Sequence, residues 1–195
     1  MDDSQAESAA AGPPDPDQHF GQLYKEHFQA IYAYVLRRAG AGEASDLVAE
    51  VFATAWRRIC DLPAPPEDKL WLYGVARRVV LQHDRSRLRR ERLHAKLDRS
   101  VPVSKPGVPR EMSDLELKVL DLIEEMKPDD RELVRLIVWD ALTHPEIATI
   151  LGCSVNAVAI RWHRSLKRLR HDIGAPTGLS DSSTLVVGKP LKEGT

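Results

Sequence analysis

The chain has 195 residues, 43% hydrophobic and only 6% aromatic, enough to bury a core in one medium or two small domains. No apolar run approaches the roughly 20 residues a membrane helix needs, and the acidic N-terminus lacks a basic-then-apolar leader, which predicts a cytoplasmic protein without membrane insertion. The net charge of −1 hides an uneven distribution: acid gathers in residues 2–17 and base in 77–96 and 161–171, a pattern that suggests two separate contacts with a polyanion, the alternative being two solvated helix faces.

Residues 1–18, rich in Ala, Asp, Gly and Pro and without periodicity, read as a disordered tail. From His19, apolar residues Phe20, Tyr24, Phe28, Ile31 and Val35 recur at helical spacing until Gly40 and Gly42 stop them. Ser45 is the predicted N-cap of a second helix, with Asp46 in its first turn and Val48, Val51, Phe52, Ala55 and Ile59 as its buried stripe. The segment DLPAPPED (61–68) cannot be helical through its three prolines, and a long third helix follows from about Lys69 to Asp98. Residues 19–99 thus form one helical domain, and 100–111, rich in Pro, Gly and Ser, read as a flexible linker.

The second domain spans 112–174. Leu115, Val119, Leu122 and Ile123 mark a helix closed by Lys127 and Pro128, and residues 129–142 mark the next, with Asp129 or Asp130 at its start. Thr143 and Glu146 have capping-box spacing, so a helix runs to Leu151 with Ile147, Ile150 and Leu151 inward. Gly152 supplies the positive φ that ends it, and Ser154 caps a last helix. The inward stripe there is Val155, Val158, Trp162, Leu166 and Leu169, which leaves Asn156, Ala157, Arg161, Arg164, Ser165 and Arg168 outward. Cap, glycine turn, apolar spacing and basic face together predict a helix-turn-helix whose second helix enters a DNA major groove, where Arg and Asn pair with base edges and Lys or Arg neutralises phosphate. Residues 175–195 read as a tail. With no repeats and no strand-like alternation, the fold class is all-α, two small helical domains.

Cys60 and Cys153 lie in apolar helical patterns without metal-ligand spacing and read as buried free thiols. No Ser/His/Asp constellation stands out among the seven histidines, so the chain reads as a non-enzyme with no catalytic residues, metal or cofactor.

The stretches SDLVAEVFATAWRRI and LWLYGVARRVVLQHDRSRLRRE, followed by the helix-turn-helix segment from Lys127 to Arg170, resemble the extracytoplasmic function (ECF) group of bacterial RNA polymerase sigma factors. The resemblance implies sigma region 2 in the first domain and sigma region 4 in the second. It implies as partners core RNA polymerase, through the clamp coiled coil of its largest subunit and the subunit that contacts region 4, together with promoter DNA and an anti-sigma factor. Asp46, Leu47, Glu50 and Trp56 would bind polymerase, with Asp46 and Glu50 sharing a face. Leu62, Pro63, Glu67 and Asp68 would form the pocket for an unstacked −10 base. Arg77, Arg78, His83, Arg85, Arg87 and Arg89 would line the basic track for the opened strand. Trp71 and Tyr73 would stack on bases or, as is commoner at this helical spacing, belong to the core. At the −35 element the contacts would come from Ser154, Asn156, Ala157, Ile160, Arg161, His163, Arg164, Lys167 and Arg168. Ala49, Arg78, Ala159 and Ile160 depart from the family pattern, which shifts −35 readout toward Arg161, His163 and Arg164. A free-standing helix-turn-helix regulator is the rival reading; the basic helix behind the proline loop argues against it, since a repressor has no use for a single-strand track.

Overall fold

The structure, a computed structural model, describes residues 15–95 and 113–173 and is helical, with no strand among the described residues. The tails and linker expected from the sequence lie wholly or mostly outside these residues. Seven helices follow one another among the described residues: α1 (Pro16–Ala39), α2 (Ala41–Arg57), α3 (Glu67–Ala95), α4 (Asp114–Glu124), α5 (Pro128–Val138), α6 (His144–Leu151) and α7 (Val155–Ile173), with a 3-10 turn at Ile59–Asp61.

Several boundaries differ from the sequence expectation for local reasons. Helix α1 begins at Pro16, three residues before His19, because Asp15 accepts from the Asp17 backbone N–H at 3.2 Å and Pro16 suits the first helical position. Gly40, at φ +84° and ψ 167°, closes α1 and opens α2 at once, so Ser45 lies inside α2 and caps nothing. Helix α3 starts at Glu67, two residues before Lys69. Lys127 and Pro128 open α5 and do not close α4, which ends at Glu124, again because proline is preorganised for N1. The described residues include no helix long and apolar enough to cross a membrane.

Helices α1 to α3 pack as a three-helix unit around Ile31, Val35, Val51, Phe52, Leu72 and Ala76. Burial of each large aliphatic side chain there contributes about 1.5–3 kcal/mol. The stripe predicted for α2 is buried as expected, and Ala44 and Leu47 join it. The apolar stripe of α3 ends near Val80; beyond it the helix is polar and supported by pairs such as Arg87–Glu91 at 2.9 Å.

In the second unit, Ser113 and Glu116 form a capping box on α4, with the Ser113 backbone N–H donating to the Glu116 carboxylate at 2.8 Å. That backbone bond, with one from the Ser113 hydroxyl, holds the Glu116 pKa below the ordinary carboxylate value. The predicted pair Thr143–Glu146 is present, and Gly152 sits in the left-handed region at φ +65°. Ser154 accepts from the Ala157 N–H at 3.1 Å and caps α7. Two predicted orientations on α7 are reversed: Val155 is 46% exposed and Ser165 is buried. Val155 sits in the first turn, ahead of the packing surface, whereas the small Ser165 shares a face with Val158, Trp162 and Leu169. Leu115 is likewise exposed. Both cysteines are free thiols, but Cys60 is exposed and Cys153 half-buried.

The two units touch. Buried residues of α5 to α7, among them Leu136, Ile147 and Val158, belong to the same apolar cluster as α1 to α3, and α6 packs on α3. A smaller cluster of Ile123, Met126, Val134 and Leu169 ties α4 to α5 and α7.

Candidate nucleic-acid interface

Helix α3 carries its cations on one face. Arg78, Gln82, Arg85 and Arg89 recur at spacings of four, three and four, and with Arg77, Leu81 and Ser86 they line a shallow groove. Arg78, Arg85 and Arg89 are exposed. Arg87 lies off this face, its guanidinium held by Glu91. His83 is largely covered, with Nε2 3.5 Å from a Glu43 carboxylate oxygen, so it joins α3 to α2. The structure thus brings together four of the six residues predicted for a strand track and separates Arg87 and His83 from it.

At the N-terminal end of α3, Pro63, Glu67, Leu70, Trp71, Gly74, Arg77 and Arg78 line a second groove, whose remaining wall is Thr149 and Ile150 of α6. Leu62 and Pro63 are half-buried and Glu67 is exposed. Trp71 is half-buried beneath the Arg58 guanidinium, 5.6 Å from the ring centroid. Two predicted residues are withdrawn from any base. Asp68 is 3% exposed, and its carboxylate lies 3.3 Å from His27 Nε2, clamping α3 to α1. Tyr73 is 2% exposed and meets the edge of Tyr34 at 5.3 Å, so it is a core residue whose phenol is pushed well above its ordinary pKa by burial.

On α2, Asp46 and Glu50 are exposed on one face as expected, whereas Leu47 points into the core. Trp56 is 44% exposed and lies edge-on to Phe20 at 5.2 Å. It ends an aromatic row that continues through Tyr24, Phe28 and Tyr32 along α1.

On α7, Asn156, Ile160, His163, Arg164, Lys167 and Arg168 are exposed, and Ala157 and Arg161 are half-buried. Ser154 is exposed but its hydroxyl is engaged as the cap. Arg168 lies 3.6 Å from Asp172 as an i,i+4 pair, and the Asp172 pKa is held down first by its hydrogen bond with His171 and then by the Arg168 charge. Ile160, 53% exposed between polar neighbours, is an apolar group suited to a thymine methyl.

Between the units lies an ion network that the sequence did not announce. Arg38, 3% exposed, donates from Nε to Glu132 at 2.9 Å, from one terminal nitrogen to the Tyr34 carbonyl at 3.0 Å and from the other to Asp140 at 3.3 Å. Its guanidinium lies 3.5 Å from the centroid of the Tyr34 ring, and the Tyr34 hydroxyl donates to Glu132 at 2.8 Å. Arg37 also pairs with Asp140. Burial works to raise both carboxylates: it prevails at Asp140, whereas Arg38 and the bonds from Arg38 and Tyr34 hold Glu132 below its ordinary value. Two further pairs cross the same boundary, Lys69–Glu146 and Arg77–Asp129, each at 3.8 Å. Among the described residues, Glu26, His27 and Asp68 converge closely enough to face a metal ion, but Asp68 is already satisfied by His27 and the Lys69 N–H and Glu26 is exposed, a set better explained as a helix clamp.

Comparison with known proteins places the chain in a family. Residues 23–91 match Sigma-70 region 2 and residues 116–169 match Sigma-70 region 4. The chain is 30% identical over 169 residues to the ECF RNA polymerase sigma factor BldN of Streptomyces coelicolor, an alignment that takes in 84% of this chain and 62% of that relative's length. It is 30% identical over 177 residues to the RNA polymerase sigma factor NccH of Alcaligenes xylosoxydans xylosoxydans, covering 87% of this chain and 92% of that one. The fold is similar to that of the sigma factor RpoE of Bartonella quintana, solved in complex with the anti-sigma factor NepR, at a TM-score of 0.63 and 22% identity over 80% of this chain and 98% of that one. It is also similar to CnrH, solved with the cytosolic domain of CnrY, at a TM-score of 0.55 and 20% identity over 80% of this chain and 92% of that one.

Proposed function

Since the chain belongs to the sigma-70 family of RNA polymerase sigma factors, in its ECF group, we propose that it binds core polymerase and directs initiation at promoters read through a −35 and a −10 element, leaving catalysis to the polymerase. Residues 19–99 act as region 2, 112–174 as region 4, and 100–111 as the connection between them. The observation that carries this reading is the pairing, on one chain, of a capped recognition helix with a separate one-faced arginine track on α3.

Each surface has a step it suits. The exposed carboxylates of Asp46 and Glu50, with Trp56 six residues further along α2, offer a polymerase helix both charge and an aromatic edge. Asn156, Ile160, Arg161, His163 and Arg164 read the −35 major groove, while Lys167 and Arg168 meet phosphates. The groove at Pro63, Glu67, Trp71 and Arg78 takes the unstacked −10 base, and Arg77, Arg78, Arg85 and Arg89 lead the displaced strand away. An anti-sigma factor is a partner in keeping with the complexes formed by the two similar structures. Site of action is the compartment of the polymerase, the cytoplasm.

Run-off transcription with purified core polymerase on genomic fragments tests the assignment. Promoter-specific transcripts that require the chain support it; duplex binding without any transcript would favour a free-standing regulator.

A further inference from the structure

We propose that His27 is a positioning residue for −10 recognition: through Asp68 it fixes the first turn of α3, and so the placement of Glu67 and Trp71 in the groove that takes the unstacked base. The role depends on that groove being the base site, as assigned in the preceding section. Asp68 is 3% exposed, although it lies in the first turn of a helix and aspartates are ordinarily solvated. Both its oxygens are engaged, one 3.3 Å from His27 Nε2 and the other accepting from the Lys69 N–H at 2.7 Å. A carboxylate only accepts, so Nε2 is the donor. His27 is itself mounted on a fixed face, since Leu23 and Ile31, four residues to either side of it on α1, are buried.

What this bond holds is the end of a segment with little else to hold it. Pro63, Pro65 and Pro66 have no backbone N–H to donate, and residues 64–67 are exposed, so the run between the 3-10 turn and α3 depends on its two ends. At one end Ile59 is buried and Leu62 packs on the core; at the other Asp68 is the anchor. Lys69, in the same turn, pairs across the boundary with Glu146 and does not tie α3 to its own unit. Glu67, Leu70 and Trp71 lie within three residues of Asp68 and line the groove. If the first turn rolls about the helix axis, Glu67 and Trp71 roll with it, and recognition requires such groups to be held to within about 0.5 Å. His27 therefore acts on the base through Asp68, without touching DNA.

The test uses holoenzyme assembled with the full chain. The probes are fluorescein-labelled oligonucleotides spanning the non-template −10 element of a promoter that the chain transcribes, with each base substituted in turn. The readout is discrimination, the affinity for the native element divided by that for its most damaging substitution. Both affinities come from one preparation, so the ratio is indifferent to the fraction of chain that is folded, and a variant that merely destabilises the unit leaves it unchanged. His27→Phe and Asp68→Ala should each lower the ratio about fivefold, the smaller end of what one base pair contributes to specificity. The double variant should be no worse than either single change, because both remove the same bond. His27→Gln, which restores an N–H donor toward Asp68, should keep the ratio within about twofold of wild type. Equal losses in His27→Gln and His27→Phe, or additive losses in the double variant, would overturn the route through Asp68. An unchanged ratio in His27→Phe while Trp71→Ala lowers it would leave the groove in place and overturn the role of His27. If Trp71→Ala and Glu67→Ala also leave the ratio unchanged, the groove is not the base site and the role falls with it. Where Asp68→Ala does not assemble with polymerase, His27→Phe against His27→Gln decides alone.

Discussion

Removing Arg78, Arg85 and Arg89 together should reduce the salt dependence of strand binding by an amount that the geometry of α3 sets. These three are exposed on one face, whereas Arg87, two residues from both Arg85 and Arg89 in sequence, lies off that face and is held by Glu91. A single strand releases about 0.7 of a counterion per phosphate neutralised, so three contacts account for a slope of about 2 in log K against log salt. Between roughly 50 and 200 mM salt that difference makes wild-type binding fall about eighteenfold further than binding by the triple alanine variant. Arg87→Ala frees a glutamate as it removes an arginine, and the slope should stay within a few tenths of wild type. Fluorescence anisotropy of a labelled −10 non-template oligonucleotide, measured on holoenzyme across salt, isolates the effect because the polymerase's own contacts cancel between variants. An Arg87→Ala slope change equal to that of Arg85→Ala would refute the facial argument, and an unchanged triple-variant slope would refute the track.

On α7, Arg164→Ala should relax preference at a defined −35 base pair by about 1–3 kcal/mol, while Lys167→Ala lowers binding to all sequences alike; transcription from a library randomised across the element distinguishes them. Gly152→Ala and Gly40→Ala meet no neighbouring atom, so only backbone strain is at stake. The left-handed conformation at Gly152 costs alanine about 1 kcal/mol, and the glycine-only region at Gly40 about 2–3 kcal/mol, so thermal melting should rank Gly40→Ala as the more damaging. Burial, aided by Glu132 and opposed by Arg38, lifts the Tyr34 phenol well above its ordinary value, and burial lifts Tyr73 likewise. A raised pKa means the folded state favours the neutral phenol, so this stability is complete below the ordinary value of about 10 and drains away as pH rises beyond it. Tyrosinate absorbance followed through an alkaline titration should therefore show both rings ionising only as near-ultraviolet dichroism is lost; their ionisation with tertiary signal intact would contradict it.

What could be read in advance was local. The Thr143–Glu146 pair, Gly152 and Ser154 each act within one turn, and all three do what their spacing predicts. The basic face of α3 was legible as charge, but not which arginines share it, because Arg87 and Glu91 look the same on paper whether or not they meet. Asp68 illustrates the limit: as an acid in a first turn it reads as a solvated helix starter or a pocket group, and only the arrival of His27 from α1, 41 residues away, makes it an interior clamp. The network around Arg38 lay further out of reach. Its bonds between the units join positions 94 to 103 residues apart, and Arg37 and Arg38 at a helix C-terminus have a sufficient local explanation in the helix dipole.

The chemistry of that contact bears on how it opens. A buried ion pair recovers much of its desolvation cost only while both partners are present, and apolar residues of equal volume would hold the units together at least as well. Separation returns Arg38, Glu132 and Asp140 to water, which offsets part of the loss, so the contact is easier to break than one sealed by leucines alone. The same charges then link the contact to salt. Added salt screens the rim pairs Lys69–Glu146 and Arg77–Asp129, whereas the buried bonds between Arg38 and Asp140 are screened far less. Small-angle scattering of the chain across salt concentrations should accordingly show the units still in contact at high salt; a radius of gyration that grows with salt would mean that the exposed pairs, and not the buried ones, hold them.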